Sequence, residues 1–356
     1  MDNQLSRQRY CAIDLLKCIA CIGVIIIHVA SLGFSSYGVR HINWVACTAY
    51  ECLVRSSVPV FFMCTGALLL DPAHSMPPKK LFFRYFLRML LVLLFWAFMY
   101  MLYFIAGAGV LYGTYVPGSF SSGVKDVLTF HHHFHLYYLQ ILLIIYIFLP
   151  MLRAFVSAAN RKLLGYAILV WFVLGIVFPF LNTFSFFSSN LEGIPAQYPI
   201  SMTYSSFGYC LLGYWMRTAD IQKKDAKRWL CVYLLGFAVT FGVTVAVSFK
   251  NWKAYDALLE SMTPGVAIMA AGLFGFIFAL CSEKTSMPRV SRFSKASFCI
   301  YLVHHFYVMA FRTIGLNVYL CNSLISVPLV SALVLLCSLI TYWLLSKIPK
   351  FNHYFI

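Results

Sequence analysis

Apolar residues occur along this chain in long continuous runs, separated by short polar or basic stretches. Each run approaches the roughly 20 residues that a helix needs to cross a bilayer, and continuous runs favour helices over the alternating strands of a membrane barrel. The pattern predicts an all-α fold, a polytopic membrane bundle of about ten transmembrane helices that forms one domain over residues 1–356. The predicted spans lie near residues 10–34, 44–70, 79–106, 134–153, 162–181, 203–217, 229–248, 263–281, 294–312 and 322–346.

Basic residues concentrate in alternate loops between these spans. One side carries Arg7, Arg9, Lys79, Lys80, Arg153, Arg161, Lys162, Arg217, Lys223, Lys224, Lys227, Arg228, Lys284, Arg289, Arg292, Lys347 and Lys350. The other side holds little more than Arg40, Lys125, Lys250, Lys253 and Arg312. The positive-inside rule therefore predicts cytoplasmic termini and a multi-pass protein of the cell membrane.

The composition agrees with a membrane protein. Hydrophobic residues make up 62% of the chain and charged residues only 11%, whereas a soluble domain is about a quarter charged. A formal net charge of +16 raises the alternative of nucleic-acid binding. The bases sit in short clusters between apolar spans, however, which is the pattern of a membrane protein. No nucleic-acid partner is predicted.

Three polar residues of the first span, Asp14, Lys17 and His28, share one helix face. A helix advances about 100° and 1.5 Å per residue, so His28 returns to within roughly 20° of Lys17, about 16 Å deeper. Because lipid offers polar groups no partners, this face has to point into protein or water. Asp14 is predicted to form a structural pair with Lys17, three residues away.

The second span carries Glu51 and Arg55 at the i,i+4 spacing of a helical ion pair. A self-neutralising structural pair is one interpretation. Arg55 lies about 16 Å from the outer end of its helix, which brings it to a depth similar to that of His28. A role in a buried site is therefore the other interpretation.

The third span begins with a basic stripe, Lys80, Arg84 and Arg88, at four-residue spacing. Lysines at a helix end are also explained as anchors that reach the membrane surface. Arg88 lies too deep for that explanation and requires a buried anion. A phosphate-bearing ligand from the cytosol would supply it, because guanidinium binds phosphate bidentately.

Histidines mark the fourth and ninth spans. Residues 131–133 are all histidine, but nearby carboxylates and thiols are lacking and adjacent helical residues do not face one point, so no metal site is predicted. His135 and Tyr138 lie at the outer end of the fourth span. His304 lies about 15 Å from the cytoplasmic end of the ninth, near mid-membrane. A simple interhelical hydrogen bond is the alternative role for such a histidine.

Taken in order, these motifs resemble the acyltransferase 3 family, the multispanning membrane acyltransferases that O-acetylate surface glycans. The matching segments are Ile13-Asp14-x-x-Lys17-x10-His28, Val58-Pro59-Val60-Phe61-Phe62-Met63-x-x-Gly66, the basic entrance to span three, His135-Leu136-Tyr137-Tyr138-Leu139, Gly208-Tyr209-x-x-x-Gly213-Tyr214 and Ser297-Phe298-x-Ile300-Tyr301-Leu302-Val303-His304. The resemblance covers essentially the whole chain. Lys17 departs from it, because the family usually has arginine there.

The resemblance implies an O-acetyltransferase with acetyl-CoA as cytoplasmic co-substrate and a glycan or lipid-linked saccharide as acceptor. The residues assigned to the donor are Lys17, Lys80, Arg84 and Arg88, the catalytic ones are His28, Arg55 and His304, and those assigned to the acceptor are Glu51, His135, Tyr138 and Tyr301. His28 is expected to be the general base, with a short-lived acetyl-histidine as the alternative. Arg55 and His304 are expected to stabilise the oxyanion.

Two other functions stay open at this point. Polar residues inside a bundle are also typical of transporters, and an amino-acid transporter related to resistance racemases is the first alternative. Helices broken by paired Gly/Pro interruptions, and internal repeats, which transporters often have, do not appear in the sequence, and this disfavours transport. The second alternative is a non-catalytic membrane module, which leaves the basic stripe unexplained. The lipid bilayer is a further predicted partner, and a homodimer is left open.

Overall fold

The computed structural model describes residues 2–73, 75–112, 119–190, 202–284 and 286–356, and none of these lies in a strand. The protein is 82% helical, which confirms the predicted all-α fold. The helices are α1 (Asp2–Ser36), α2 (Ile42–Val54), α3 (Ser57–Leu69), α4 (Pro78–Lys80), α5 (Arg88–Tyr112), α6 (Ser119–Leu128), α7 (Tyr137–Ala158), α8 (Arg161–Trp171), α9 (Phe178–Leu181), α10 (Ser185–Asn190), α11 (Met202–Arg217), α12 (Ala226–Asn251), α13 (Pro264–Cys281), α14 (Pro288–Thr313), α15 (Ser323–Leu345) and α16 (Pro349–Tyr354). Two π-helical segments, Leu81–Leu87 and Phe172–Val177, lie between helices, as do 3₁₀ turns at Phe134–Leu136, Lys223–Asp225 and Ala257–Leu259.

Eight stretches of the described residues are long and apolar enough to cross a membrane. They are Cys11–Ser36, Ile42–Leu69, Pro78–Gly107, Phe134–Ala158, Arg161–Leu181, Lys223–Asn251, Ala257–Cys281 and Ser323–Leu345. The two other predicted spans are α11, which has only 16 residues, and α14, whose 26 residues include four basic side chains and two histidines. The chain is therefore a multi-pass membrane protein, and the side that its termini face stays a prediction.

The helices form two compact units. The first comprises Met1–Ala73 and Met151–Ser338, and the second comprises His74–Pro150 and Leu339–Ile356. Helices α7 and α15 each contribute residues to both units. A compact unit need not be an independent folding domain, so the single domain expected over residues 1–356 stays a prediction.

The predicted span 44–70 is interrupted at Arg55 and Ser56, where α2 ends and α3 begins. Pro59 has no N–H to donate to the carbonyl of Arg55, four residues earlier, and in a regular helix its ring clashes with that carbonyl. The helix therefore breaks one turn before Pro59. The break makes Arg55 the C-cap of α2.

Helix directions within the first unit alternate as the order of the predicted spans requires. Helices α1 and α14, the first and ninth spans, run parallel: Asp14 meets Ser294 near one end, and His28 meets His304 further along both helices. Helices α12 and α13, the seventh and eighth spans, form an antiparallel pair packed through glycines. The polar residues Ser294, Ser297, His304 and His305 of α14 are buried.

Helices α3 and α11 approach each other most closely at Gly66 and Gly213. A Cβ at Gly66 would lie 2.0 Å from the carbonyl oxygen of Cys210, and a Cβ at Gly213 would lie 2.0 Å from the carbonyl oxygen of Met63. Each contacted carbonyl is three residues before the partner glycine, so the contact is reciprocal. Arg217 at the end of α11 donates to the carbonyl oxygen of Ala67 near the end of α3 and pairs with Asp71 just after it, so the two helices run parallel. Glycine is required here because any side chain would separate the two backbones.

The second unit is built on α5 and the first half of α7, which run antiparallel. The rings of Tyr85 and Tyr146 lie 5.8 Å apart at one end, and those of Tyr100 and His135 lie 4.6 Å apart at the other. Phe351 of α16 and Phe355, which follows this helix, pack on Phe95 of α5. Aromatic contacts thus hold this unit together along its length.

Candidate functional site

Polar contacts join α1 to α14 along the face that the sequence singles out. The hydroxyl of Ser294 donates to a carboxylate oxygen of Asp14 at 2.7 Å, and the thiol of Cys21 lies 3.6 Å from the carbonyl oxygen of Ser297. The structure thus gives Asp14 a hydrogen-bond partner on the neighbouring helix. Its predicted pairing with Lys17 stays a prediction.

Three imidazoles meet in the first unit, those of His28 on α1 and of His304 and His305 on α14. The ring centroid of His28 lies 5.2 Å from that of His304 and 4.9 Å from that of His305. The side chain of His304 is 0% exposed and His305 is also buried, while His28 is half-buried. The structure thus brings together two of the residues predicted to be catalytic.

His305 is the residue of this cluster that the sequence argument missed. Adjacent residues of a helix point about 100° apart, so a site that faces His304 is expected to exclude its neighbour. The ring of His28 approaches both side chains, and its contact with His305 is edge-on at 90°. The repeated histidine itself is the signal that would have found it.

The ring of His304 is fixed by its own helix. Its Nδ1 lies 2.7 Å from the carbonyl oxygen of Tyr301 and 3.2 Å from that of Ile300. The phenol ring of Tyr301 is buried one turn away, with its centroid 6.0 Å from the imidazole. The predicted acceptor residue Tyr301 and the predicted catalytic residue His304 are therefore neighbours.

Glu51 and Arg55 form the ion pair that their spacing predicts, with Arg55 Nη1 at 3.1 Å from Glu51 Oε1. Arg55 Nε also donates to the carbonyl oxygen of Leu259, a long-range contact that the sequence does not indicate. Glu51 is buried, and its Oε2 has no hydrogen-bond partner among the residues that the structure describes. Because an unpaired buried charge is strongly destabilising, Glu51 depends on Arg55.

Replacing Arg55 by methionine is expected to lower the free energy of unfolding by about 3 kcal/mol, because it leaves a buried carboxylate without its counter-charge. Adding Glu51→Gln to Arg55→Met is expected to restore most of this loss, since the charge that needed the arginine is then gone. Denaturant unfolding of the purified protein in detergent measures both variants.

The ion pair of Lys223 and Glu283 is the matched control, since its N–O distance is 2.8 Å and both side chains are 66% exposed. Lys223→Met is expected to lower the free energy of unfolding by less than about 1 kcal/mol, because water screens an exposed pair. Equal losses from Arg55→Met and Lys223→Met would contradict the burial argument.

The second unit carries the predicted basic stripe around its first π-helical segment, Leu81–Leu87. Lys80 ends α4, Arg84 is exposed within the π-helix, and Arg88 begins α5 and is half-buried. Arg88 Nη2 donates to the main-chain oxygen of Ile356 at 2.7 Å, and its buried Nε has no hydrogen-bond partner in the described part of the chain. This main-chain oxygen is one acceptor for a guanidinium that the sequence predicted to need a buried anion. Such π-helical turns occur frequently at functional sites.

His133 and His135 lie in the second unit with their Nδ1 atoms 2.6 Å apart, so one ring donates and the other accepts. The ring of Tyr100 packs on both, at 5.0 and 4.6 Å. Burial lowers the pKa of His133 to about 4, and the neighbouring His132 acts in the same direction. Burial lowers the pKa of His132 as well. His132 and His133 are therefore uncharged at neutral pH. The predicted acceptor residue Tyr138 lies one turn after His135, and its side chain is buried.

The predicted site residues are divided between the two units. The first holds Asp14, Lys17, His28, Glu51, Arg55, Tyr301 and His304, and the second holds Lys80, Arg84, Arg88, His135 and Tyr138. Contacts within the first unit join His28 to His304 and Glu51 to Arg55. The functions predicted for these residues stay predictions.

Comparison with known proteins identifies a family for the chain. The sequence model of the acyltransferase 3 family, described as an acyltransferase domain, matches residues 11–343. This match contains all twelve predicted site residues. No curated protein and no solved structure matches the chain.

Proposed function

The chain belongs to the acyltransferase 3 family and is a membrane acyltransferase, and from this premise we propose that it is an O-acetyltransferase. It moves an acetyl group from acetyl-CoA on the cytoplasmic side of the cell membrane to a hydroxyl of an extracytoplasmic glycan or lipid-linked saccharide. The observation that carries this proposal is the contact of His28 with two buried imidazoles. Ionisable side chains inside a membrane bundle are costly and mark functional sites.

His28 acts as the general base. Its neutral imidazole takes the proton of the acceptor hydroxyl while the hydroxyl oxygen attacks the thioester carbonyl carbon. The new C–O bond forms, the C–S bond breaks, and His28 returns the proton to the leaving thiolate of CoA. An acetyl-histidine intermediate gives the same products in two steps, and only that route releases a burst of CoA from acetyl-CoA without an acceptor.

Arg55 is the proposed donor to the oxyanion of the tetrahedral intermediate. Its guanidinium is held in place by Glu51 and by the carbonyl oxygen of Leu259, so it needs little reorganisation during the reaction. Donors fixed in this way stabilise developing negative charge in a site with little water. The residues proposed to bind the acceptor are Glu51, His135, Tyr138 and Tyr301.

Lys17, Lys80, Arg84 and Arg88 are proposed to bind the donor. CoA carries a pyrophosphate and a 3′-phosphate, and basic side chains supply the counter-charge. Guanidinium is the most suitable group for this task because its planar fork matches two phosphate oxygens. The buried Nε of Arg88, which has no hydrogen-bond partner among the residues that the structure describes, supports its part in the proposal.

Replacing Arg88 by alanine is expected to raise the Kd for acetyl-CoA by about 10-fold to 100-fold, because a charge-assisted hydrogen bond contributes about 1.5–3 kcal/mol. Isothermal titration of the purified protein measures the change. Lys79→Ala, which removes an exposed charge next to the stripe, is the control and is expected to change the Kd by less than threefold. An unchanged Kd in a folded Arg88→Ala protein would remove this residue from the donor site.

Purified protein reconstituted in liposomes tests the proposed function with labelled acetyl-CoA and a panel of glycans. We expect donor binding and a release of CoA that depends on an acceptor hydroxyl. If the protein neither binds nor turns over acetyl-CoA but carries labelled serine into the same liposomes, O-acetyl transfer is wrong and amino-acid transport takes its place.

A further inference from the structure

The tautomer of His304 follows from its two backbone contacts. Its Nδ1 faces the carbonyl oxygens of Tyr301 and Ile300, at 2.7 and 3.2 Å, and a carbonyl oxygen only accepts hydrogen bonds. The ring hydrogen is therefore on Nδ1. In a neutral ring, Nε2 then carries a lone pair and is an acceptor.

This tautomer changes the role that the sequence suggested for His304. An oxyanion needs a hydrogen-bond donor, and a neutral His304 has no second N–H to offer after Nδ1 has donated to its own helix. A cationic ring would have the second N–H, but the side chain is 0% exposed, and moving a charge out of water is costly. Donation from His304 to the oxyanion is therefore disfavoured.

The nearby ring of His28 is suited to the acceptor nitrogen of His304. A ring nitrogen lies about 1.15 Å from its centroid, so two imidazoles that share an N–H···N bond of about 2.9 Å have centroids about 5.2 Å apart. The observed separation of His28 and His304 is 5.2 Å. Their planes are tilted by 39°, so the hydrogen bond requires a change in the orientation of the His28 ring. Catalytic hydrogen bonds commonly tighten in this way when substrate binds.

We propose that His304 Nε2 accepts a hydrogen bond from the ring N–H of His28 and so makes His304 the positioning residue of the reaction. The inference rests on the proposed function, in which His28 is the base. With one nitrogen of His28 held by His304, its other nitrogen presents a lone pair to the acceptor hydroxyl. The same bond stabilises the imidazolium that forms when His28 takes the proton. His304 itself gains and loses no proton.

Two substitutions of His304 separate this role from a structural one. The side-chain amide of glutamine reaches the position of Nε2, whereas that of asparagine reaches the position of Nδ1. His304→Gln therefore keeps an acceptor for His28, and His304→Asn keeps only a donor to the backbone carbonyls. We expect His304→Gln to retain kcat within about 10-fold of the wild type and His304→Asn to lose at least about 100-fold, since loss of the group that orients a catalytic imidazole reduces kcat by up to about 10⁴.

The assay measures kcat and KM for acetyl-CoA, with melting temperature in detergent as the check on folding. Both variants are expected to keep the wild-type KM and to melt within a few degrees of the wild type. The reverse order of kcat, or equal kcat in both variants, would overturn the positioning role and make His304 a structural anchor. A wild type without acetyl transfer, or a fully active His28→Ala, would instead contradict the proposed function, so the two failures are distinguishable.

Discussion

Replacing His28 by alanine is expected to lower kcat for acetyl transfer by about 10²-fold to 10⁴-fold, the usual contribution of a positioned general base. The Kd for acetyl-CoA is expected to stay within about threefold of the wild type, because the basic residues assigned to the donor are unchanged. Single-turnover transfer of labelled acetyl, followed beside donor binding, measures both quantities on one preparation.

His41→Ala is the matched control for this prediction. His41 belongs to the same unit but is exposed at the start of α2, where it accepts a hydrogen bond from the backbone N–H of Asn43. Acetyl transfer by His41→Ala is expected to equal that of the wild type. Wild-type kcat in His28→Ala would remove His28 from the chemistry and leave its imidazole contacts structural.

Replacing Gly66 by alanine is expected to destabilise the protein by at least about 3 kcal/mol, at the upper end of the overpacking range. The added Cβ would meet the carbonyl oxygen of Cys210 at 2.0 Å, and that atom belongs to backbone that cannot rotate away. Helices α3 and α11 would have to separate along their contact. Thermal unfolding and the yield of protein from the membrane measure the effect. Gly213→Ala is expected to lower the stability by a similar amount, because its Cβ would meet the carbonyl oxygen of Met63 at 2.0 Å.

Gly242→Ala provides the control, because Gly242 is also a helical glycine and a Cβ there meets nothing within 4 Å. Alanine is a better helix former than glycine by about 1 kcal/mol, so this variant is expected to be as stable as the wild type or slightly more so. Equal stability of Gly66→Ala and Gly242→Ala would contradict the close packing of α3 on α11.

The membrane fold follows from the sequence because a bilayer imposes a simple requirement. Each span must be a helix of roughly 20 apolar residues with its backbone hydrogen bonds made internally. Eight of the ten predicted spans meet this requirement in the described residues. Helix α11 is too short and α14 too polar to meet it, so their crossing of the membrane stays a prediction. The requirement does not predict the break at Arg55, although Pro59 carries the signal, because a broken helix remains apolar throughout.

Side-chain partners are less predictable, because packing between distant segments decides them. The face of α1 was found from helix periodicity alone, but its contacts come from α14, some 280 residues away in the sequence. The hydrogen bond of Asp14 with Ser294 and the contact of His305 with His28 therefore could not be read from the first helix alone. Arg55 illustrates both cases: the i,i+4 rule predicts its pairing with Glu51, whereas no local rule predicts its contact with Leu259.

Transfer across a sealed membrane tests the central claim most directly. Proteoliposomes with uniformly oriented protein receive labelled acetyl-CoA on the side of the α1 N-terminus and an acceptor glycan on the opposite side. The account predicts that label appears on the acceptor with wild-type protein and falls at least about 100-fold with His28→Ala at equal donor binding. Transfer at the same rate in both proteins, or no transfer by a wild type that binds neither donor nor acceptor, would contradict it.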